Sequence, residues 1–215
     1  MTKIGYFKTT KTARYAQLNE FSEQTNNLWI VLHGYGQLVP YFIRKFECFA
    51  NPQTVVIAPE GLHRFYLTGA TGRVGASWMT KEERLQDIND YIFYLDNLLH
   101  HLLTKNLSDN YSVKINLLGF SQGGATVCRW AINSIHKINK LVLYSSVFPP
   151  DITLETEKLK KIPEIISLMG TNDEYVSVKD FESTMLSFKQ QLPQLNLIIF
   201  EGKHEILPQV LMQLA

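Results

Sequence analysis

A chain of 215 residues with 45% hydrophobic content can bury one sizeable core, and we read residues 1–215 as a single domain. The 21 basic and 20 acidic residues leave a net charge of +1, which argues against a nucleic-acid footprint and against a polybasic membrane anchor. Cys48 and Cys128 are the only cysteines, too few for a disulfide framework or a metal motif, and they fit a reducing compartment. The opening Met1-Thr2-Lys3-Ile4-Gly5-Tyr6-Phe7 lacks the apolar run of a signal peptide, and no stretch reaches transmembrane length. The expectation is a cytoplasmic protein.

In chain order, residues 4–10 and 12–18 read as two strands of a hairpin. Leu28-Trp29-Ile30-Val31-Leu32 is a continuous apolar run, as in a strand buried on both faces. It ends in His33-Gly34-Tyr35-Gly36-Gln37, a tight loop whose glycines let a backbone N–H face a ligand. His33 is read as holding that loop. Residues 39–50 read as a helix carrying Phe42, Phe46 and Phe49, and Thr54–Ala58 as a strand stopped by Pro59. A long loop runs from Glu60 to about Ser77, which in a compact domain points to function. Thr80 and Glu83 have the spacing of a capping box, followed by a helical stripe of Leu85, Ile88, Ile92, Leu95, Leu99 and Leu102. His100 and His101 fall off that stripe, so they are expected at the surface.

The most informative stretch is Lys114-Ile115-Asn116-Leu117-Leu118-Gly119-Phe120-Ser121-Gln122-Gly123-Gly124-Ala125. It reads as a strand, a sharp turn and a helix start. Gly119, Ser121 and Gly123 fit G-x-S-x-G, in which a serine on a strained turn exposes its hydroxyl. Chance alone gives that pattern in roughly one chain in ten of this size, so the strand before it and the small residues after it carry the weight. Lys140–Tyr144 and Glu164–Met169 follow as strands, with one helical turn between them. Ser177 and Asp180 cap a helix, Leu195–Phe200 is the last strand, and a short helix begins near Pro208. Strands alternating with helices predict an α/β fold: a mostly parallel central sheet with helices on both faces and sites at the carboxyl ends of its strands.

A serine hydroxyl is a weak nucleophile at neutral pH and needs a base, which in turn needs an orienting acid. His204 alone among the six histidines follows both Ser121 and a candidate acid in a loop after a strand. Asp173 is that acid, with its neighbour Glu174 as the alternative, whereas Asp180 is explained by its place in the helix cap. The order Ser121, Asp173, His204 is that of α/β-hydrolase triads. The N–H groups of Tyr35 and Gln122 are the candidate oxyanion donors.

Leu32-His33-Gly34-Tyr35-Gly36, Gly119-Phe120-Ser121-Gln122-Gly123-Gly124, Gly170-Thr171-Asn172-Asp173-Glu174-Tyr175-Val176 and Gly202-Lys203-His204 together resemble the phospholipase/carboxylesterase branch of the α/β-hydrolases. That group includes acyl-protein thioesterases. The resemblance implies the α/β-hydrolase fold without a large lid domain, and a serine esterase that needs neither metal nor cofactor. Its partner would be a small-molecule acyl ester or thioester, with no nucleic acid and no membrane span. Tyr35 departs from the small or aliphatic residue usual after His-Gly. Trp78-Met79-Thr80 departs from the usual tryptophan, aromatic, aspartate. Trp78 and Phe148, with Tyr35 beside them, are candidate walls of an acyl or alcohol pocket. The competing readings are a peptidase or amidase on the same fold and a catalytically silent binding protein.

Overall fold

The computed structural model describes residues 2–107 and 112–214. Its strands are β1 (Tyr15–Leu18), β2 (Asn27–Leu32), β3 (Thr54–Pro59), β4 (His63–Tyr66), β5 (Val74–Ser77), β6 (Lys114–Phe120), β7 (Lys140–Tyr144), β8 (Glu164–Gly170) and β9 (Leu195–Phe200). Its helices are α1 (Val39–Phe42), α2 (Arg84–Asn106), α3 (Gln122–Asn133), α4 (Glu157–Lys160), α5 (Val178–Lys189) and α6 (Pro208–Leu211), with a 3-10 helix over Ile43–Phe49. Seven strands form one sheet in the order β1-β3-β2-β6-β7-β8-β9, parallel except for β1, which runs antiparallel to β3.

Alternation along the strands divides the core into two layers. Leu28, Ile30, Leu117 and Leu143 face one side, where Leu95 and Leu99 of α2, Val127 and Trp130 of α3 and Phe181 of α5 cover them. Trp29, Val31, Leu118 and Tyr144 face the other, against Phe42, Phe46 and Phe49 and against Val210 and Leu211 of α6. A strand covered on both faces has no polar side to show, which is why β2, β3 and β7 read as apolar runs.

Four expectations change. Among the described residues of 2–14 there is no strand, and β1 pairs with β3 instead of folding back on its own predecessor. Arg14 is tied down by the buried Glu60 carboxylate, with Nε 2.7 Å from Oε1 and Nη2 2.8 Å from Oε2. Arg64 donates to the same Oε1 at 2.7 Å and the Val39 N–H to Oε2 at 3.2 Å. Burial alone would raise the Glu60 pKa, but the Arg14 and Arg64 bonds outweigh it and hold the carboxyl below its ordinary value. The single helix expected over 39–50 divides into α1 and the 3-10 helix, with the three phenylalanines still buried.

The loop from Glu60 to Ser77 contains the β4–β5 hairpin, paired from His63↔Ser77 to Tyr66↔Val74. The capping box at Thr80 does not form. Glu83 takes a left-handed conformation at the cap of α2 (φ 50°), and the Thr80 N–H is accepted by Asp87 at 3.0 Å. The stripe on α2 is therefore offset. Leu85 is 72% exposed, and Tyr91 takes a buried place beside Ile88, Leu95, Leu99 and Leu102. Ser177 caps α5 as expected, its Oγ accepting the Asp180 N–H at 3.2 Å. His100 and His101 are exposed.

Candidate active site

The turn after β6 brings a serine to the carboxyl edge of the sheet. Ser121 has φ 53° and ψ −119°, a conformation that costs a non-glycine residue about 1–3 kcal/mol. The main chain holds it there, with Ser121 N–H to the Tyr144 carbonyl at 3.0 Å and Gly124 N–H to the Ser121 carbonyl at 2.9 Å. Glycines flank the turn because the backbones nearly touch. A Cβ on Gly119 would lie 2.2 Å from the Gly123 carbonyl oxygen, and one on Gly123 would lie 2.3 Å from that of Leu32. The helix can begin this close to the strand only without those side chains.

Asp173 and His204 leave the ends of β8 and β9, which are paired strands. His204 Nδ1 lies 2.7 Å from Asp173 Oδ2; the carboxylate is fully buried and the imidazole 14% exposed. Asp173 Oδ1 accepts the N–H groups of Tyr175 (2.9 Å) and Val176 (3.3 Å). The carboxylate is thus fixed on both oxygens, and its Oδ2 is left for the imidazole. Glu174, the alternative acid, accepts the His204 main-chain N–H at 3.3 Å and is committed to the backbone. The ring of Phe120, next to Ser121, lies 5.0 Å from the His204 ring, and the Tyr175 ring meets the imidazole edge-on at 4.6 Å. An imidazole that gives its Nδ1–H to a buried carboxylate keeps Nε2 free to accept a proton.

The two candidate oxyanion donors also sit at this edge. Gln122 is the first residue of α3 and Tyr35 lies in the turn after β2, and among the described residues neither N–H has an acceptor. The Tyr35 side chain points away from the core and stacks on Phe65 at 5.0 Å. Trp78 and Phe148, the candidate pocket walls, are both buried. Trp78 is 1% exposed and donates its indole N–H to the His33 carbonyl at 2.9 Å, while Phe148 packs edge-on against Phe188 at 5.6 Å. Both rings pack in the core layer that α2, α3 and α5 cover.

Sequence reading missed the Gln122 side chain. Its Oε1 accepts the Trp78 N–H at 3.1 Å, and its Nε2 donates to Ser77 Oγ and the Met79 carbonyl, both at 3.0 Å. No local signal announces those bonds, because their partners lie more than 40 positions earlier in the chain. Among the described residues no group of three or more His, Cys, Asp or Glu is placed to hold a metal ion.

His33 is fully buried under the turn. Nδ1 lies 2.7 Å from the Gly34 carbonyl and Nε2 accepts the Gly61 N–H at 2.9 Å, roles that only the neutral Nδ1–H tautomer fills. Burial pushes its pKa down, against the Gly34 bond and the Glu60 charge, which pull it up. Unfolding returns the ring to about 6.5. Below that pH the unfolded chain binds a proton that the native ring resists, so stability falls as pH drops through it. His136, also lowered by burial, acts in the same direction. The melting temperature is expected to be lower at pH 5.5 than at pH 7.5. In His33→Asn, which keeps a donor and an acceptor but does not titrate, the difference should shrink. Melting curves at the two pH values check both.

The family model described as Phospholipase/Carboxylesterase matches residues 13–215. The chain belongs to the phospholipase/carboxylesterase family. No curated protein matches it significantly in sequence. Among solved structures, Zea mays acyl-protein thioesterase 2 superposes with a TM-score of 0.71 at 18% identity, covering 94% of this chain and 96% of that one. Esterase PE8 gives 0.69 at 21% identity, with 95% and 98% covered. The carboxylesterase from Mesorhizobium loti gives 0.69 at 15% identity, with 94% and 93% covered. These likenesses establish the α/β-hydrolase fold, with no large lid among the described residues, and the family establishes a hydrolase of the esterase type. No helix among the described residues is long and apolar enough to cross a membrane.

Proposed function

We propose that this phospholipase/carboxylesterase family member is a serine hydrolase that cleaves small-molecule carboxylic esters, thioesters included, through an acyl-enzyme. The observation that carries the reading is the buried 2.7 Å contact between Asp173 and His204 beside the strained Ser121 turn. Ser121 Oγ attacks the carbonyl carbon while His204 Nε2 takes its proton. Asp173 holds the imidazole in the required tautomer and stabilises the imidazolium. Charge developing on the carbonyl oxygen is met by the Tyr35 and Gln122 N–H groups, each donor of this kind being worth ~10²–10³ in rate. Collapse expels the alcohol or thiol with the proton from His204. A water molecule, deprotonated by the same imidazole, then releases the acid.

A fluorophosphonate probe tests this directly, since it reacts only with an activated serine. One adduct per chain is expected by intact mass, and fragmentation should place it on Ser121. Absence of an adduct on folded protein, or an adduct on another serine, would refute the proposal.

A further inference from the structure

The two candidate oxyanion donors come from separate parts of the chain, one after β2 and one after β6, and both are tied to the same short strand, β5. On the first side, the turn at 34–37 lies along β5. Gly36 N–H donates to the Ala76 carbonyl at 2.8 Å and Ala76 N–H to the Gln37 carbonyl at 3.2 Å, an antiparallel bridge. The contact is close enough that a Cβ on Gly75 would stand 2.5 Å from the Gly36 carbonyl oxygen. Phe65 is the register partner of Gly75 across the hairpin. Opposite a residue with no side chain, its ring can reach over and stack on Tyr35, at 5.0 Å and a 33° interplanar angle.

On the second side, β5 ends at Ser77, whose Oγ accepts from Gln122 Nε2 at 3.0 Å, and the following Trp78 N–H is accepted by Gln122 Oε1 at 3.1 Å. The hairpin itself is anchored to the body. Arg64 Nε is 2.7 Å from Glu60 Oε1, and His63 Nε2 is 3.0 Å from Asp87 Oδ1 on α2.

We infer that the β4–β5 hairpin sets the separation of the two oxyanion N–H groups, and that Phe65 is a positioning residue acting through Tyr35. This rests on the serine-hydrolase reading above and adds to it a residue that touches no substrate. It also gives the tyrosine after His-Gly a role. The ring is a handle by which the hairpin holds the turn, and the N–H of the same residue is the group held. Oxyanion donors act through preorganisation, and a displacement of about 1 Å can cost up to ~10² in rate. A brace of this kind affects the transition state more than the bound ester, so its loss lowers kcat and leaves KM nearly unchanged.

The test is steady-state kinetics on a p-nitrophenyl ester with Phe65→Ala, Phe65→Leu, Phe65→Tyr and Tyr35→Ala, and with the Phe65→Ala/Tyr35→Ala double variant. Phe65 is only half-buried, so folding should survive, and Phe65→Leu keeps apolar bulk without the ring face should Phe65→Ala not fold. Phe65→Ala and Phe65→Leu are expected to lower kcat roughly 10- to 100-fold with KM within about twofold. Phe65→Tyr should restore kcat, and the double variant should be no worse than the poorer single one. Unchanged kcat in Phe65→Ala or Phe65→Leu, a loss expressed only in KM, failure of Phe65→Tyr to rescue, or additive losses would each overturn the inference. Fluorophosphonate labelling of the parent separates the two failures. If Ser121 labels while the Phe65 variants keep their kcat, only the hairpin inference falls. If Ser121 does not label, the underlying reading falls.

Discussion

Ser121→Ala is expected to lower kcat on a p-nitrophenyl ester by on the order of 10⁶, the loss seen when the nucleophile of a serine triad is removed. The fold should be untouched, because the bonds that hold the turn, to the Tyr144 carbonyl and from the Gly124 N–H, belong to the main chain. A second variant separates chemistry from architecture. At φ 53° and ψ −119° the backbone sits where glycine is at ease and serine or alanine is not. Ser121→Gly should therefore be equally inactive yet more stable, by about 1 kcal/mol against the strain released. Two variants dead in catalysis, with the glycine one melting higher, would show that stability is given up at this turn to present a hydroxyl. Activity in Ser121→Ala above a percent of the parent's would remove the serine from the reaction.

Much of the sheet was legible because its strands have no exposed face. Leu28–Leu32 and Thr54–Ala58 are short apolar runs bounded by turn residues, the pattern of strands enclosed by helices, and β2 and β3 do pair in parallel. The edge was harder. β1 is four residues long, and so short a segment carries too little pattern to choose between a local hairpin and a distant partner such as β3. The β4–β5 hairpin was hidden for a related reason. Its residues alternate weakly in burial, and its place is set by Glu60, Asp87 and the turn at 34–37, none of which is local to both strands. At Thr80 the capping spacing was present, but Asp87 reached the Thr80 N–H and the helix began later.

At the site, residues whose chemistry demands a local conformation were readable. The glycines around Ser121 have to be there because Gly119 and Gly123 meet in backbone contact. Burial of a large aromatic is not a local property. Trp78 and Phe148 lie in loops beside the edge, yet a single bond to the His33 carbonyl and a ring contact with Phe188 settle both into the packing. Tyr35 stood out for its main-chain N–H and as a departure from the family pattern, with nothing to say where its ring would pack. Its meaning depends on Phe65, 30 residues along the chain, whose ring it meets at 5.0 Å.

Asp173→Asn is the sharper test of the proposed roles, because it turns one carboxylate oxygen into an NH₂ and changes almost no shape. Tyr175 and Val176 both donate N–H groups to Asp173 Oδ1, and only an oxygen can take that place. The amide's NH₂ must then occupy the position of Oδ2, 2.7 Å from His204 Nδ1. Nδ1 now faces a donor and has to become an acceptor, so the ring proton moves to Nε2. The imidazole keeps its position but carries hydrogen on the atom that should receive the serine proton. The expected result is a fall in kcat of about 10⁴ with KM little changed, the loss known for the wrong tautomer in serine triads. Glu174→Gln is the control, since it keeps an oxygen for the His204 main-chain N–H and should retain most activity. If that variant were instead the damaging one, the acid of the site would be Glu174, and the buried contact at Asp173 would be architecture.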